Sequence, residues 1–218
     1  TDYGGGLEVQ HKGAVNGRAA VDELAARFPD AAQVVVAGES AGSVPTPLYA
    51  GLVADQLPDT RITVLADGSG AYPDEPVVNT LIGGLWGTER AIPDWPVNDG
   101  LTAADWSFPD LFVQAGRHAP SITFARHDYA FDQTQGFFAA LAGVGSDDLV
   151  SLIDRNEQQI EDAGVPLLSF IAAGTDHTVL GSPRFYDETT EGVSLLDWVT
   201  SLVAGEPVED VHCTTCGP

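Results

Sequence analysis

The stretch Val34-Val35-Val36-Ala37-Gly38-Glu39-Ser40-Ala41-Gly42 decides how the chain is read. Three β-branched residues in a row predict a short buried strand, and Gly-x-Ser-x-Gly then turns the backbone sharply into a helix. A serine hydroxyl is a poor nucleophile, so it has to stand clear of the backbone where a histidine can take its proton. Gly38 and Gly42 leave room around such a turn, and the N–H of Ala41 would face a tetrahedral oxyanion formed on Ser40. The competing readings are a turn that only packs tightly and one that holds a phosphate. Neither Gly-x-Gly-x-x-Gly nor Gly-x-x-x-x-Gly-Lys-Ser/Thr occurs at this turn, so the nucleophile elbow is preferred.

Upstream of the elbow, Val21, Leu24, Ala25 and Phe28 recur at helical spacing and predict an amphipathic helix over residues 14–28, stopped by Pro29-Asp30. The first 13 residues are glycine-rich and irregular. A strand over 33–37 leads into the elbow, and the next helix runs to about Gln56, with Pro45 and Pro47 tolerable only near its start. A second strand, 61–66, ends in the loop Asp67-Gly68-Ser69-Gly70. From 72 to 119 the periodicity weakens, with Pro73, Pro76, Pro93, Pro96 and Pro109 interleaved with Trp86, Trp95 and Trp106. Such a long irregular segment inside one domain reads as a cap over the site, with short helices over 79–85 and 109–116. For Trp95 and Trp106 the alternative is plain core filling.

A third strand, 121–125, precedes Arg126-His127-Asp128-Tyr129-Ala130-Phe131-Asp132. Leu149, Leu152, Ile153, Ile160 and Ala163 mark a helix that opens with Ser146-Asp147-Asp148 and stops at Gly164. A fourth strand, 167–172, runs into Gly174-Thr175-Asp176-His177. The last helix carries Leu195, Leu196, Val199, Leu202 and Val203, capped by Ser194 with Asp197 and stopped by Gly205. Strands alternate with helices throughout, which predicts an α/β fold on a parallel sheet of four or five strands, in a single domain over 1–218.

The composition excludes several partners. Against 9 basic residues, of which Lys12 is the one lysine, stand 32 acidic ones, for a formal net charge of -23. That surface repels nucleic acid and anionic membrane. The acids are dispersed through periodic segments instead of being gathered in a tail, a pattern suited to strong brine, where salt screens self-repulsion. No apolar run reaches the length of a membrane span, and residues 1–4 form neither a charged start nor an apolar signal core. The sequence contains no Met, even at position 1, so its numbering is expected to begin inside a longer precursor or a trimmed chain. The two cysteines, Cys213 and Cys216, could form a small disulfide, a redox pair or half of a zinc site with His212. The disulfide is favoured, and with it an oxidising, extracellular setting.

In open α/β sheets the reacting groups gather at the carboxyl ends of the strands. Ser40 follows the first strand, Asp128 and Asp132 the third, and His177 the fourth. Ser, Asp, His is the chain order of α/β-hydrolases. His177 would take the proton of Ser40 and pass it to the leaving alcohol, and a carboxylate would hold its tautomer. Asp176, adjacent to His177, is a poor choice for that role, while spacing does not separate Asp128 from Asp132. His11, His118, His127 and His212 carry no comparable warrant, and no ligand cluster with metal-binding spacing occurs, so neither metal nor cofactor is expected.

Several runs resemble the pectinacetylesterase/Notum family of secreted carboxylesterases: His11-Lys12-Gly13-Ala14-Val15-Asn16, the elbow with Ser-Ala-Gly, Asp67-Gly68-Ser69-Gly70, Phe131-Asp132-Gln133-Thr134-Gln135 and His177. The resemblance spans nearly the whole chain. It implies Ser40 as nucleophile, His177 as base and Asp132 as acid, since Asp132 falls on the aspartate of the family's aromatic-Asp-x-x-Gln pattern. It also implies a secreted serine esterase acting on acetyl or short-acyl esters. The upstream Gly-Gly-rich strand-loop that supplies oxyanion donors in that family, and its further cysteines, have no counterpart here.

The expectation is therefore a truncated α/β-hydrolase, salt-adapted, acylated on Ser40, with Tyr72 and Trp86 on the wall of the substrate pocket. A hydrolase of synthetic or natural polyesters and a non-catalytic binding protein are the alternatives. Because only one helix precedes the elbow strand, that strand should lie at or near a sheet edge, covered by residues 3–10 or by a homodimer. Losing one oxyanion donor would cost about 100- to 1,000-fold in rate unless an N–H from Gly4, Gly5 or Gly6 takes its place.

Overall fold

The computed structural model describes every residue except 73–76, 78, 145–147 and 218. In chain order its main elements are α1 (Gly13–Arg27), β1 (Gln33–Glu39), α2 (Thr46–Gln56), β2 (Arg61–Asp67), α3 (Phe108–His118), β3 (Thr123–Tyr129), α4 (Gln133–Leu141), α5 (Leu149–Asp162), β4 (Leu167–Ala172), α6 (Leu195–Ala204) and β5 (Val211–His212). The sheet order is β1-β2-β3-β4-β5, and every pairing is parallel. This is an α/β fold of the hydrolase-like kind, a five-stranded parallel sheet flanked by helices. No helix among the described residues is long and apolar enough to cross a membrane.

Period-two alternation sends side chains of each strand to two cores. On one face, Ile62, Val64 and Ala66 of β2 and Phe124 of β3 pack with Val21 of α1, Val53 of α2, Phe112 of α3 and Ile160 of α5. On the other, Leu65, Ala125, Tyr129 and Phe170 pack with Leu195, Trp198 and Leu202 of α6. Local chemistry sets the helix ends: Pro47 sits in the first turn of α2, the Ser107 and Asp110 side chains cap α3, and Asp148 caps α5. Ser194 accepts from the Asp197 N–H at the start of α6, and Gly205 ends it at φ 76°. Of the expected Ser146-Asp147-Asp148 start to α5, residues 146 and 147 lie outside the described residues, as do Pro73 and Pro76 of the expected cap.

Several expectations change. β1 is the edge strand, but it is not buried: Val34 and Val36 pack on the core face while Val35 on the opposite face is 41% exposed. A run of valines reads as covered on both faces, whereas no helix lies over the outer face of β1 near Val35. The N-terminal segment does not pair with β1; it folds on itself through the Asp2–Glu8 bridge. β3 runs four residues beyond Ala125, so Asp128 lies inside a strand and is fully buried. Consecutive Arg126, His127 and Asp128 hid the strand because its interior is polar. α4 escaped notice because Phe137, Phe138 and Leu141 point outward and make no core-facing stripe.

The expected cap over 72–119 divides in two: its last part is α3, the helix expected over 109–116, whose Phe112, Val113 and Ala115 are core, and before it the described residues form short turns, a π-helical turn Asn79–Gly83, one α turn Gly84–Trp86, and 3-10 turns at Thr88–Ala91, Pro96–Asn98 and Ala103–Asp105. Trp95 is core, donating its indole N–H to Asp55 at 2.9 Å and stacking on His118 at 4.2 Å. Trp106 is also buried, but it faces the cavity described below.

Candidate active site

Ser40 stands at the end of β1 with φ 54°, in the left-handed region that a non-glycine residue occupies only under constraint. The constraint is the tight return of the chain. A Cβ on Gly38 would come within 2.3 Å of the Gly42 carbonyl oxygen, so residue 38 has to be glycine. Gly42 is different, since a Cβ there meets open space; the expectation that both glycines make room holds only for the first. The Ser43 N–H and hydroxyl both bond the Ser40 carbonyl, at 2.9 and 2.6 Å, and brace the turn from below.

His177 Nε2 lies 2.7 Å from Ser40 Oγ, and His177 Nδ1 lies 2.6 Å from Asp132 Oδ2. An ionised carboxylate only accepts, so Nδ1 carries the proton and Nε2 is left as the acceptor for the serine hydroxyl. Asp132 is held from the opposite side: its Oδ1 accepts the N–H groups of Thr134 and Gln135 at 2.8 and 3.0 Å, as the N-cap of α4. Its Oδ2 also accepts from Gln135 Nε2 at 3.1 Å.

Asp128, the other acid that spacing left open, bonds elsewhere. Its Oδ1 accepts from the Gly70 N–H at 2.9 Å and from Gln135 Nε2 at 2.8 Å. Gly70 has to lack a side chain for this, since a Cβ would sit 2.2 Å from Asp128 Oδ2. Burial pushes the Asp128 carboxyl above the ordinary range, against the opposing pull of Arg126 at 3.7 Å and these hydrogen bonds. Asp176 pairs with Arg184 on the surface. Tyr72, above the site, has its hydroxyl raised by burial and by the nearby charges of Asp132 and Asp128, so it is a neutral donor at ordinary pH.

Three residues to which sequence reasoning gave no role of their own hold this arrangement. Asp67, fully buried at the end of β2, accepts from the N–H groups of Val179 and Leu180 at 2.7 and 2.9 Å with one oxygen, and meets His127 Nδ1 at 2.9 Å with the other. Glu39 accepts from the next amide, Gly181, at 2.8 Å. Three successive backbone N–H groups, following Thr178 at φ 65°, are thus clasped by carboxylates from the ends of β1 and β2. This turn carries His177. Gln135, the third, ties Asp132 to Asp128 and accepts the Ala71 N–H at 2.9 Å. The signal for Asp67 was present, an acid closing a strand before Gly68 at φ 76°, but its partners lie 60 to 113 residues away.

Ser40, Ala41 and His177 open on a cavity of about 500 Å³ lined by Val44, Leu48, Ile92, Trp106, Phe108, Leu111, Phe138 and Leu141. Tyr72 and Trp86 line it too, and Tyr72 packs against Phe108 with ring centroids 5.0 Å apart. The indole N–H of Trp106 is buried without an acceptor among the described residues. Gly4, Gly5 and Gly6 form the tip of the N-terminal hairpin and are not among the lining residues. A second, more open groove of about 580 Å³ runs along the β1 edge past Leu24, Phe28, Val34 and Val35, but Ser40 and His177 are not part of it.

The remaining histidines have structural neighbours: His11 bonds Tyr3 and stacks on Trp86, His118 bonds Asp55, and His212 bonds Asp154. Among the described residues the one convergent group of metal-ligand types is His212 with Cys213 and Cys216, whose two sulfurs are joined in a disulfide. No protein-family model matches the chain, and no curated protein matches it at a significant level.

Proposed function

We propose that the chain is a serine carboxylester hydrolase working through an acyl-enzyme. The observation that carries this reading is the hydrogen-bonded line from Ser40 Oγ through His177 to Asp132, 2.7 and 2.6 Å long, at the mouth of an apolar cavity. His177 Nε2 removes the Ser40 proton as Oγ attacks the ester carbonyl, and the imidazolium that forms is stabilised by the Asp132 carboxylate. The Ala41 N–H supports the oxyanion. Collapse expels the alcohol, which takes its proton from His177. Water, deprotonated by the same nitrogen, then releases the acid and restores Ser40. The motif resemblance to pectinacetylesterase/Notum esterases agrees with these roles and with an acetyl or short-acyl substrate in an extracellular setting.

The cavity favours the polyester alternative within the same chemistry. An acetyl group would leave most of about 500 Å³ unfilled, whereas an aromatic or aliphatic polyester segment would bury apolar surface against Leu48, Phe108 and Leu111. The test is hydrolysis of soluble p-nitrophenyl acetate, butyrate and octanoate by native protein and by Ser40→Ala. The native chain should turn over all three, with kcat/KM rising with chain length, and Ser40→Ala should lose at least about 1,000-fold. Equal rates for the two proteins would end the esterase reading.

A further inference from the structure

α4 is anomalous. In a chain with a formal net charge of -23, residues 133–144 contain no Asp, Glu, Lys or Arg. Yet this helix is on the surface, with Phe137 64%, Phe138 50% and Leu141 69% exposed, and Ala140 exposed between them. Three large apolar side chains within five residues form a contiguous patch, because Leu141 lies four residues after Phe137 and three after Phe138, and the two Phe rings meet with centroids 5.2 Å apart. Such patches on soluble proteins mark interaction sites. The patch is continuous with the cavity: Phe138 and Leu141 belong both to it and to the cavity lining, and Trp86, 51% exposed, is a further half-exposed apolar residue of that lining.

We propose that the outer face of α4 is an adsorption surface that seats the protein on an uncharged, water-insoluble ester phase, such as a polyester particle, with the cavity mouth against that phase. The nature of the occupant rests on the esterase reading. Two observations select it. Continuity with the cavity means that whatever wets Phe137 and Leu141 is the material that enters beside Ser40. The charge excludes the commonest biological apolar surface, since an acidic protein is repelled by anionic membrane, while the absence of charge across 133–144 leaves this face no ion pair to offer a cationic one. What remains is a neutral apolar surface, held by burial of Phe137, Phe138 and Leu141. Adsorption would also raise the local ester concentration at the cavity, as tethering does for any second binding event.

The experiment measures depletion of protein by polycaprolactone particles at about 0.1 M NaCl, where charge repulsion is only partly screened, using Ser40→Ala so that no turnover alters the surface. Phe137→Glu/Ala140→Glu places two charges in the patch at positions outside the cavity lining, and glutamate is a good helix former. The double variant, and to a smaller degree Phe137→Ser, should adsorb at least about tenfold more weakly. In the otherwise native background the double variant should keep kcat/KM on soluble p-nitrophenyl butyrate within about twofold while losing polyester hydrolysis. Unchanged adsorption by both variants overturns the proposal. So does equal adsorption to phosphatidylglycerol vesicles, or a native dimer in light scattering that the double variant dissolves, which would make a second copy the occupant. Adsorption by Ser40→Ala without soluble-ester turnover by the native chain would sink the esterase reading and leave the adsorption surface standing.

Discussion

The two walls of the cavity are held in place by different physics. On one side, His177 is fixed by carboxylates: buried Asp132 on its ring, and buried Asp67 with exposed Glu39 on the Val179, Leu180 and Gly181 amides. Charge-assisted hydrogen bonds in a low-dielectric interior have narrow geometry and a high cost of rupture. On the other side, Trp86, Phe138 and Leu141 are half or more exposed and are held by apolar and ring contacts, such as the stacking of Trp86 on His11. Apolar contact is non-directional, so that wall can adjust to what it meets. A preorganised polar wall suits proton transfer, and a compliant apolar one suits substrates of varied shape.

The sharpest way to break this contrast is at the polar wall. Asp132→Asn should lower kcat/KM by about 100- to 10,000-fold, because an amide leaves the imidazole in the wrong tautomer or without its counter-charge. Asp128→Asn, whose oxygen can still accept from Gly70 and Gln135, should cost far less. The reverse order in steady-state kinetics would transfer the role to Asp128.

Next in size is Asp67. Asp67→Ala frees the Val179 and Leu180 amides and should reduce kcat by about 10- to 100-fold with little change in KM, the effect of misplacing a base by an ångström or less. Asp67→Asn, which keeps one oxygen for both amides, should recover most of that loss. If the two variants are equally impaired, or if KM carries the change, the clasp does not position His177.

At the apolar wall a single truncation should matter less. Leu111→Ala should raise KM for an octanoyl ester several-fold, about 1 kcal/mol of lost contact, and leave the acetyl ester unaffected. Equal loss on both esters would mean that the wall is as rigid as the polar one.

The smallest effect is on stability. Asp128 is a carboxyl whose folded pKa is raised, chiefly by burial, so its neutral form is the one the fold favours. Its contribution is fully present below the unfolded carboxyl pKa and is lost as pH rises through the higher folded value. The Tm of Asp128→Asn, taken relative to the native protein, should therefore climb by a few degrees from acid to neutral pH. A relative Tm that falls from acid to neutral pH in calorimetry would show that Arg126, and not burial, governs this carboxyl, and a flat difference that the two cancel.

Legibility from sequence was uneven for physical reasons. α2, β2, β4 and α6 are covered by the core on predictable faces and end in strong local signals, such as Pro47, Ser194 and Gly205. β3 and α4 were misjudged because the usual correspondence of burial and polarity is inverted there: Arg126, His127 and Asp128 are inside, and Phe137, Phe138 and Leu141 are outside. Polar residues go inside when partners from distant elements satisfy them, and Arg126 finds Asn156, Ile153 and Glu157 of α5.

By itself the amino-acid sequence determined the alternation of strand and helix, the sharp turn at Gly38-Glu39-Ser40, and the order Ser, Asp, His along the chain. These rest on local sterics and short periodicities, which neighbouring residues encode. Tertiary structure brought Asp132, which the family resemblance had indicated and spacing had not, to His177, and it alone decided that Asp67 and Glu39 clasp the loop beyond it and that the expected edge strand β1 has one face uncovered. Those outcomes turn on ångström-scale distances between segments separated by 45 to 142 residues, and no local pattern carries that information.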